Sequence, residues 1–238
     1  MSNLSNLPTL TVVYHGEPEM RCTRRSHDPP LAEEEGPAEG AQTLMLDLSI
    51  NELNSENHRI LIVSSPFQRC LESAVIIAQN MGVPAIQVHY GITERVSQLR
   101  DRGWDWEVDR LYVSEPEMRQ IVAQMSRKGE RRGRCRVSVE EFVGKKMSNE
   151  DINEAPDMAV DRIGTSLEEI RNSIMLPGDH AIAVGHYDSL EAVVERFGPK
   201  GIEILSAQHN SFVTIKTMSQ NCYWVAGRSK VKIAGENN

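Results

Sequence analysis

Leu10-Thr11-Val12-Val13-Tyr14-His15-Gly16-Glu17 decides the fold. Its first four residues form an apolar, β-branched run that reads as a buried strand. The run delivers a histidine to a tight glycine turn. In open α/β sheets, ligand-binding atoms collect at such carboxyl ends of strands. The question this poses is whether other strands bring polar groups to the same edge.

Three further runs answer it. Ile60-Leu61-Ile62-Val63 reads as a second strand, followed by Ser64-Ser65-Pro66. Serine before proline is a helix start signal, with Pro66 at the first helical position and Arg69 about one turn in. Leu71, Ala74, Val75 and Ala78 then repeat at helical spacing, and Gly82 and Pro84 end the helix. Ala85–Val88 is a short third strand. Ala159–Met175 reads as a helix with Ile163, Leu167, Ile170 and Ile174 on one face, stopped by Pro177-Gly178. Ala181–Val184 is a fourth strand leading into Gly185-His186, and Leu190–Phe197 is helical. Phe212–Thr217 and Tyr223–Ala226 read as two closing antiparallel strands.

Strands alternating with helices imply a mainly parallel sheet. The expected fold is therefore an α/β three-layer α/β/α sandwich with a mostly parallel sheet. Residues 1–9 read as a leader, 10–226 as a single domain, and 227–238 as a polar, frayed tail. Residues 17–40 read as a long proline-rich loop running to a helix near Ala38, on which Ala41, Leu44, Met45 and Leu48 share a face. Residues 92–155 mix Trp104, Trp106, basic residues and short helical patterns, and read as a mainly helical insertion.

The bulk numbers narrow the partners. The chain has 238 residues, 39% hydrophobic, and a net charge of −8. That charge argues against nucleic acid as a partner. No apolar run approaches the ~20 residues of a membrane span, and the polar start Met1-Ser2-Asn3-Leu4-Ser5-Asn6 lacks a signal-peptide core. Cys22, Cys70, Cys135 and Cys222 form no CxxC pair, which fits reduced thiols in a cytoplasmic or nuclear protein. The histidines show no metal-ligand spacing, so no metal is expected. The run Arg127-Lys128-Gly129-Glu130-Arg131-Arg132-Gly133-Arg134-Cys135-Arg136 admits a nuclear-localisation or anionic-lipid reading beside that of a solvated loop. A homodimer is compatible with the sequence.

Two histidines and an arginine, each just after a strand, suit phosphoryl chemistry. A neutral imidazole can attack phosphorus and split one hard step into two. A guanidinium matches phosphate oxygens, and a helix N-terminus adds its own positive end. A second histidine can donate to an equatorial oxygen, and a carboxylic acid must protonate the leaving alkoxide.

At these residues the chain resembles the histidine phosphatase (phosphoglycerate mutase-like) superfamily. That family carries Arg-His-Gly after the first strand, Ser-Pro-x-x-Arg after the second, and Ser/Gly-His after a late strand. Here the three read Tyr14-His15-Gly16, Ser65-Pro66-Phe67-Gln68-Arg69 and Gly185-His186. Asp28-Pro29-Pro30-Leu31 resembles the family's Asp-x-Pro-Leu segment. Ser65–Cys70 and His186-Tyr187-Asp188-Ser189-Leu190-Glu191-Ala192 are similar to the branch of the suppressor-of-T-cell-receptor-signalling and ecdysteroid-phosphate phosphatases. In that branch the third strand runs into Val-Glu-Pro-Gly-x-Phe-Glu, and Val88-His89-Tyr90-Gly91-Ile92-Thr93-Glu94 occupies that place.

The resemblance implies a phosphomonoester hydrolase acting through a phosphohistidine, with no cofactor. It implies His15 as nucleophile, Arg69 and His186 as phosphate ligands, and Glu94 as the acid. The substrate would be a phosphorylated small molecule or a phosphoprotein. Two positions depart from the pattern. The arginine before the nucleophile is Tyr14, and the last residue of the branch's Arg-His-Gly-Glu-Arg is Pro18. Tyr14 would bind phosphate through at most one neutral hydroxyl. Losing one preorganised donor typically costs ~10²–10³ in rate. Activity is therefore expected to be reduced, unless Arg21, Arg24 or Arg25 folds back into the pocket. The alternative is a catalytically impaired pseudophosphatase that binds phosphate or protein.

Overall fold

The computed structural model describes residues 9–19, 30–47, 59–95, 112–148, 151, 154–174, 179–198, 204–219, 222–228 and 232–233. In chain order these form β1 (Thr9–Tyr14), α1 (Glu35–Asp47), β2 (Ile60–Ser64), α2 (Gln68–Met81), β3 (Ala85–His89) and a 3-10 turn (Tyr90–Ile92). There follow α3 (Glu115–Glu130), β4 (Ser138–Val143), α4 (Pro156–Ser173), β5 (His180–Gly185) and α5 (Tyr187–Phe197). The chain closes with β6 (Ile204–Ser206), β7 (Phe212–Ser219), β8 (Cys222–Arg228) and β9 (Lys232–Ile233).

Seven strands make one sheet in the order β4-β3-β2-β5-β1-β7-β8. The first five run parallel; β7 and β8 close the far side antiparallel. This is the α/β/α sandwich anticipated from the alternation of elements. β5 enters between β1 and β2, so the carboxyl ends of β2, β5 and β1 lie side by side.

Period-two alternation sorts the strand side chains into two cores. Val13, Ile62, Ile182, Val184 and Phe212 face α1, α2 and α3. Leu10, Val12, Leu61, Val63, Ala181, Ala183, Val213 and Ile215 face α4 and α5. Both faces are covered, which is why the central strands read as continuous apolar runs. Thr11, His180 and Thr214 are a polar patch among them. The Thr11 hydroxyl lies 3.0 Å from both His180 Nε2 and Thr214 Oγ1, so the buried hydroxyls and ring satisfy one another.

Several element bounds differ from the sequence expectation. α2 begins at Gln68, not Pro66, because Phe67 stays extended (φ −70°, ψ 141°) and sinks its ring into the core. α1 begins at Glu35, ahead of Ala38, and α4 ends at Ser173, ahead of Pro177-Gly178. Residues 92–155 supply the helix α3 and also a strand: β4 pairs with β3 and extends the sheet edge. Past Gly227 the chain is not simply frayed, since β8 continues through Arg228 and β9 pairs with β6. Thr9, the last residue of the expected leader, opens β1 because it pairs with His180; the rest of the leader, Arg21, Arg24, Arg25, Leu48, Trp104 and Trp106 lie outside the described residues.

Candidate functional site

Parallel strands put their carboxyl ends on one edge, and the site forms there. His15 follows β1, Ser65 follows β2, and His186 follows β5. Glu94 arrives through the 3-10 turn after β3. Arg69 sits in the first turn of α2, where the helix N-terminus adds positive potential. His15, Arg69 and His186 are each 5% exposed or less, so their contacts act in a low-dielectric setting.

The tautomer of His15 follows from its partners. Nδ1 lies 2.6 Å from the Gly16 carbonyl, which can only accept, so Nδ1 carries the proton. Nε2 is then a lone pair, and it accepts from Arg69 Nε at 3.0 Å. Burial and the Arg69 guanidinium hold the His15 pKa well below the ordinary histidine value, although the Gly16 carbonyl opposes them. The imidazole is neutral at pH 7.

His186 is set in the same way. Arg69 Nη2 stands 3.3 Å from Nδ1 and can only donate. Nε2 then carries the proton and donates to Ser65 Oγ at 2.9 Å. Burial, then Arg69 and His15, push the His186 pKa well down. Phe67 supports the group from below: its ring meets His186 edge-on at 5.0 Å and carries the Arg69 guanidinium at 4.6 Å. Cys70 Sγ, 3.5 Å from His186 Nε2, fills the remaining side.

Glu94 closes the cluster. Its Oε2 accepts from Arg69 Nη2 and lies 3.6 Å from His186 Nδ1. Arg162 of α4 holds the turn that carries it: Nη1 donates to the Gly91 carbonyl at 2.7 Å, and both terminal nitrogens reach the Thr93 carbonyl at 3.2 Å. The other side of the same guanidinium is bonded by the buried Glu154 carboxylate.

Ser73 ties nucleophile to arginine. Its hydroxyl accepts from Gly16 N at 2.9 Å and donates to the Arg69 carbonyl at 2.7 Å. Gly16 needs to be glycine here, because a Cβ would stand 2.7 Å from Pro37 Cγ and 2.9 Å from Leu31 Cδ2. Tyr14 flanks His15 with its ring edge-on at 4.8 Å. Burial, with the Glu94 carboxylate, pushes the Tyr14 pKa up to about 12, so its hydroxyl stays a neutral donor.

His15, Arg69, Glu94 and His186, singled out from four separate strand ends, thus converge, with Tyr14 beside them. Sequence reasoning assigned nothing to Ser73, Arg162 or His209. Ser73 carried a local signal, one helical turn after Arg69 on the same face. Arg162 and His209 carried none, because their placement depends on how α4 and the β6–β7 loop pack. Among the described residues no group of three or more His, Cys, Asp or Glu side chains is placed to hold a metal. No described helix is long and apolar enough to cross a membrane.

No family model and no curated protein matches the chain. Solved structures match its fold. The ecdysone phosphate phosphatase of Bombix mori, in complex with tungstate, is 12% identical over 92% of each chain, with a TM-score of 0.50. A candidate alpha-ribazole-5'-P phosphatase of Escherichia coli K-12 is 12% identical over 93% of this chain and 96% of its own, also at 0.50. The protein histidine phosphatase SixA, complexed with tungstate, is 10% identical over 92% and 94%, at 0.45. The first two show that the chain has the fold of histidine phosphatase superfamily proteins.

Proposed function

We propose that the chain is a histidine-phosphatase-type phosphomonoester hydrolase that works through a phosphohistidine on His15. One observation carries the reading. The His15 Nε2 lone pair, with its tautomer set by the Gly16 carbonyl, stands at the carboxyl edge of the sheet 3.0 Å from a buried guanidinium. A neutral nucleophile next to a phosphate ligand is what phosphoryl transfer asks for. The named activities of the two structures at TM-score 0.50 agree with it.

In this mechanism a phosphate dianion takes over Arg69 Nη2 from Glu94 and accepts from Arg69 and the Tyr14 hydroxyl, while His186 becomes a donor to it only once the Nδ1 lone pair has taken a proton from solvent. His15 Nε2 attacks phosphorus as the P–O bond to the leaving group breaks. Glu94 takes a proton from solvent once it has left Arg69 and gives it to the leaving oxygen. Water then attacks the phosphohistidine, and Glu94 takes a proton from it. Phosphate leaves and His15 is neutral again. No cofactor takes part, and the substrate is a phosphorylated small molecule or phosphoprotein.

Tyr14 favours a second reading. A hydrogen bond to a charged group contributes ~1.5–3 kcal/mol, against ~0.5–1.5 for a neutral one. A site with a neutral phenol beside the nucleophile is weaker for charge build-up, which suits reduced turnover or a pseudophosphatase that binds without hydrolysing. Arg21, Arg24 or Arg25 would have to supply the charge otherwise. Turnover of an aryl phosphate by wild type, His15→Ala and Tyr14→Arg separates the readings. Wild-type turnover that His15→Ala abolishes supports the hydrolase. An inactive wild type that Tyr14→Arg makes active supports the pseudophosphatase.

A further inference from the structure

The geometry points to His209 as a second cationic phosphate ligand of this site. The inference rests on the phosphatase reading given above. Nothing in the sequence motifs contains this residue. It comes from the loop between β6 and β7, and its imidazole lies beside the nucleophile.

Placement is the first argument. The His209 ring lies 5.3 Å from the His15 ring at 34°, and 4.6 Å from the Tyr14 ring at 38°. It is half-buried, so it reaches both the site and water. In the proposed complex the oxygens of a phosphoryl group on His15 Nε2, about 3 Å beyond that ring, meet the His209 imidazole. The Tyr14 ring gives an imidazolium a face to lie against.

The loop is also fixed to hold it there. Asn210 is the one non-glycine residue among the described residues with a left-handed backbone, at φ 65°. That conformation turns its N–H to the Tyr14 carbonyl at 3.0 Å and the His15 carbonyl at 3.2 Å. Tyr14 N donates in return to the Ser211 carbonyl at 2.9 Å. The peptide groups that carry the nucleophile therefore also carry His209. Behind them Gly36 of α1 leaves room for the Asn210 side chain, which a Cβ at that position would strike. Unusual backbone at a ligand site is the pattern of preorganisation.

Charge is the third argument. A phosphate ester brings two negative charges, and Arg69 supplies one positive charge that it shares with Glu94. His15 and His186 have their protonated nitrogens committed to Gly16 and Ser65. Two charged groups act on His209 besides its burial: Glu17 after β1 favours its charged form and Arg69 of α2 disfavours it, while His15 and Tyr14 beside it are neutral. Burial with Arg69 keeps it neutral in the empty site. An arriving dianion tips that balance, and His209 takes up a proton as the anion binds.

Sulfate tests this without turnover, because it is a dianion across the whole useful pH range. Its affinity is measured by calorimetry for wild type, His209→Gln and His209→Arg, at about pH 6 and about pH 8. We expect His209→Gln to weaken binding about tenfold at the lower pH, with a smaller difference at the higher. His209→Arg should restore affinity and flatten the pH dependence. Sulfate binding by His209→Gln within about twofold of wild type at both pH values overturns the inference. So does a wild-type protein that binds no sulfate, or a pH dependence unchanged in His209→Arg. The arginine variant keeps the inference falsifiable even where the glutamine variant fails to fold. Aryl phosphate turnover, read in parallel, separates the two ideas: sulfate binding through His209 without hydrolysis sinks the hydrolase alone, and hydrolysis with sulfate binding indifferent to His209 sinks this inference alone.

Discussion

Replacing Arg162 by methionine removes the clamp on the Glu94 turn, and the structure sets the size of the effect. Arg162 bonds Glu154 through Nε at 3.0 Å and again through Nη2, and its remaining donors serve the Gly91 and Thr93 carbonyls. Glu154 is 7% exposed, so Arg162→Met strands a carboxylate away from water. Breaking a buried pair this way costs ~3–5 kcal/mol. The Arg162 side chain keeps 22% exposure, which lets water reach the vacated space and places the expectation at the lower end. That is a loss of ~3 kcal/mol, or about 6–12 °C in melting temperature for a chain of this length. Adding Glu154→Gln removes the stranded charge, so the double variant should recover ~1–2 kcal/mol. Urea unfolding followed by circular dichroism measures both. In the proposed hydrolase, kcat should fall more than KM rises, because Arg69 still holds phosphate while Glu94 wanders. The reasoning fails if Arg162→Met unfolds within ~0.5 kcal/mol of wild type, or if the double variant is no more stable than the single.

Three more outcomes follow from other parts of the molecule. Gly91→Ala should lower both stability and kcat, because its Cβ would collide with Ser166 Oγ of α4; a thermal shift of under ~2 °C would contradict this. Stability should fall as pH drops from about 7.5 to about 5.5. His15 and His186 stay neutral in the fold while their unfolded forms take protons near pH ~6.5, so their contribution is complete above that value and is lost below it, by up to ~1.4 kcal/mol per pH unit for each. His15→Asn should reduce the slope of the urea midpoint against pH, and an unchanged slope would refute the assignment. Gly82→Ala should destabilise by ~1 kcal/mol and Gly82→Asn by less, since the α2 cap needs φ 71° and nothing crowds the position; equal unfolding midpoints for the two would count against a backbone origin.

The sequence displayed the sheet more clearly than its rim. β1, β2 and β5 are buried on both faces, so apolar runs such as Ile60–Val63 and Ala181–Val184 stand out. Because a parallel sheet gathers carboxyl ends, the residues after those runs could be placed together before any contact was known. β4 escaped notice because Ser138-Val139-Glu140-Glu141-Phe142-Val143 is an edge strand with polar residues facing out, and periodicity alone does not separate it from loop. The start of α2 departs from its local signal for a different reason. Serine and proline signal a helix locally, but Phe67 gains more by filling the core under His186 than by joining the helix. His209 and Arg162 act across chain separations that no local pattern encodes, 71 residues in the case of Arg162 and Gly91.

The Ser73 hydroxyl works as a spacer between two parts of the chain 54 residues apart. One oxygen takes the amide beyond His15 and grips the carbonyl of Arg69. The gap between imidazole and guanidinium is thus braced from behind by two hydrogen bonds to a single atom. In the proposed phosphatase, the spacing of nucleophile and phosphate ligand therefore depends on one hydroxyl.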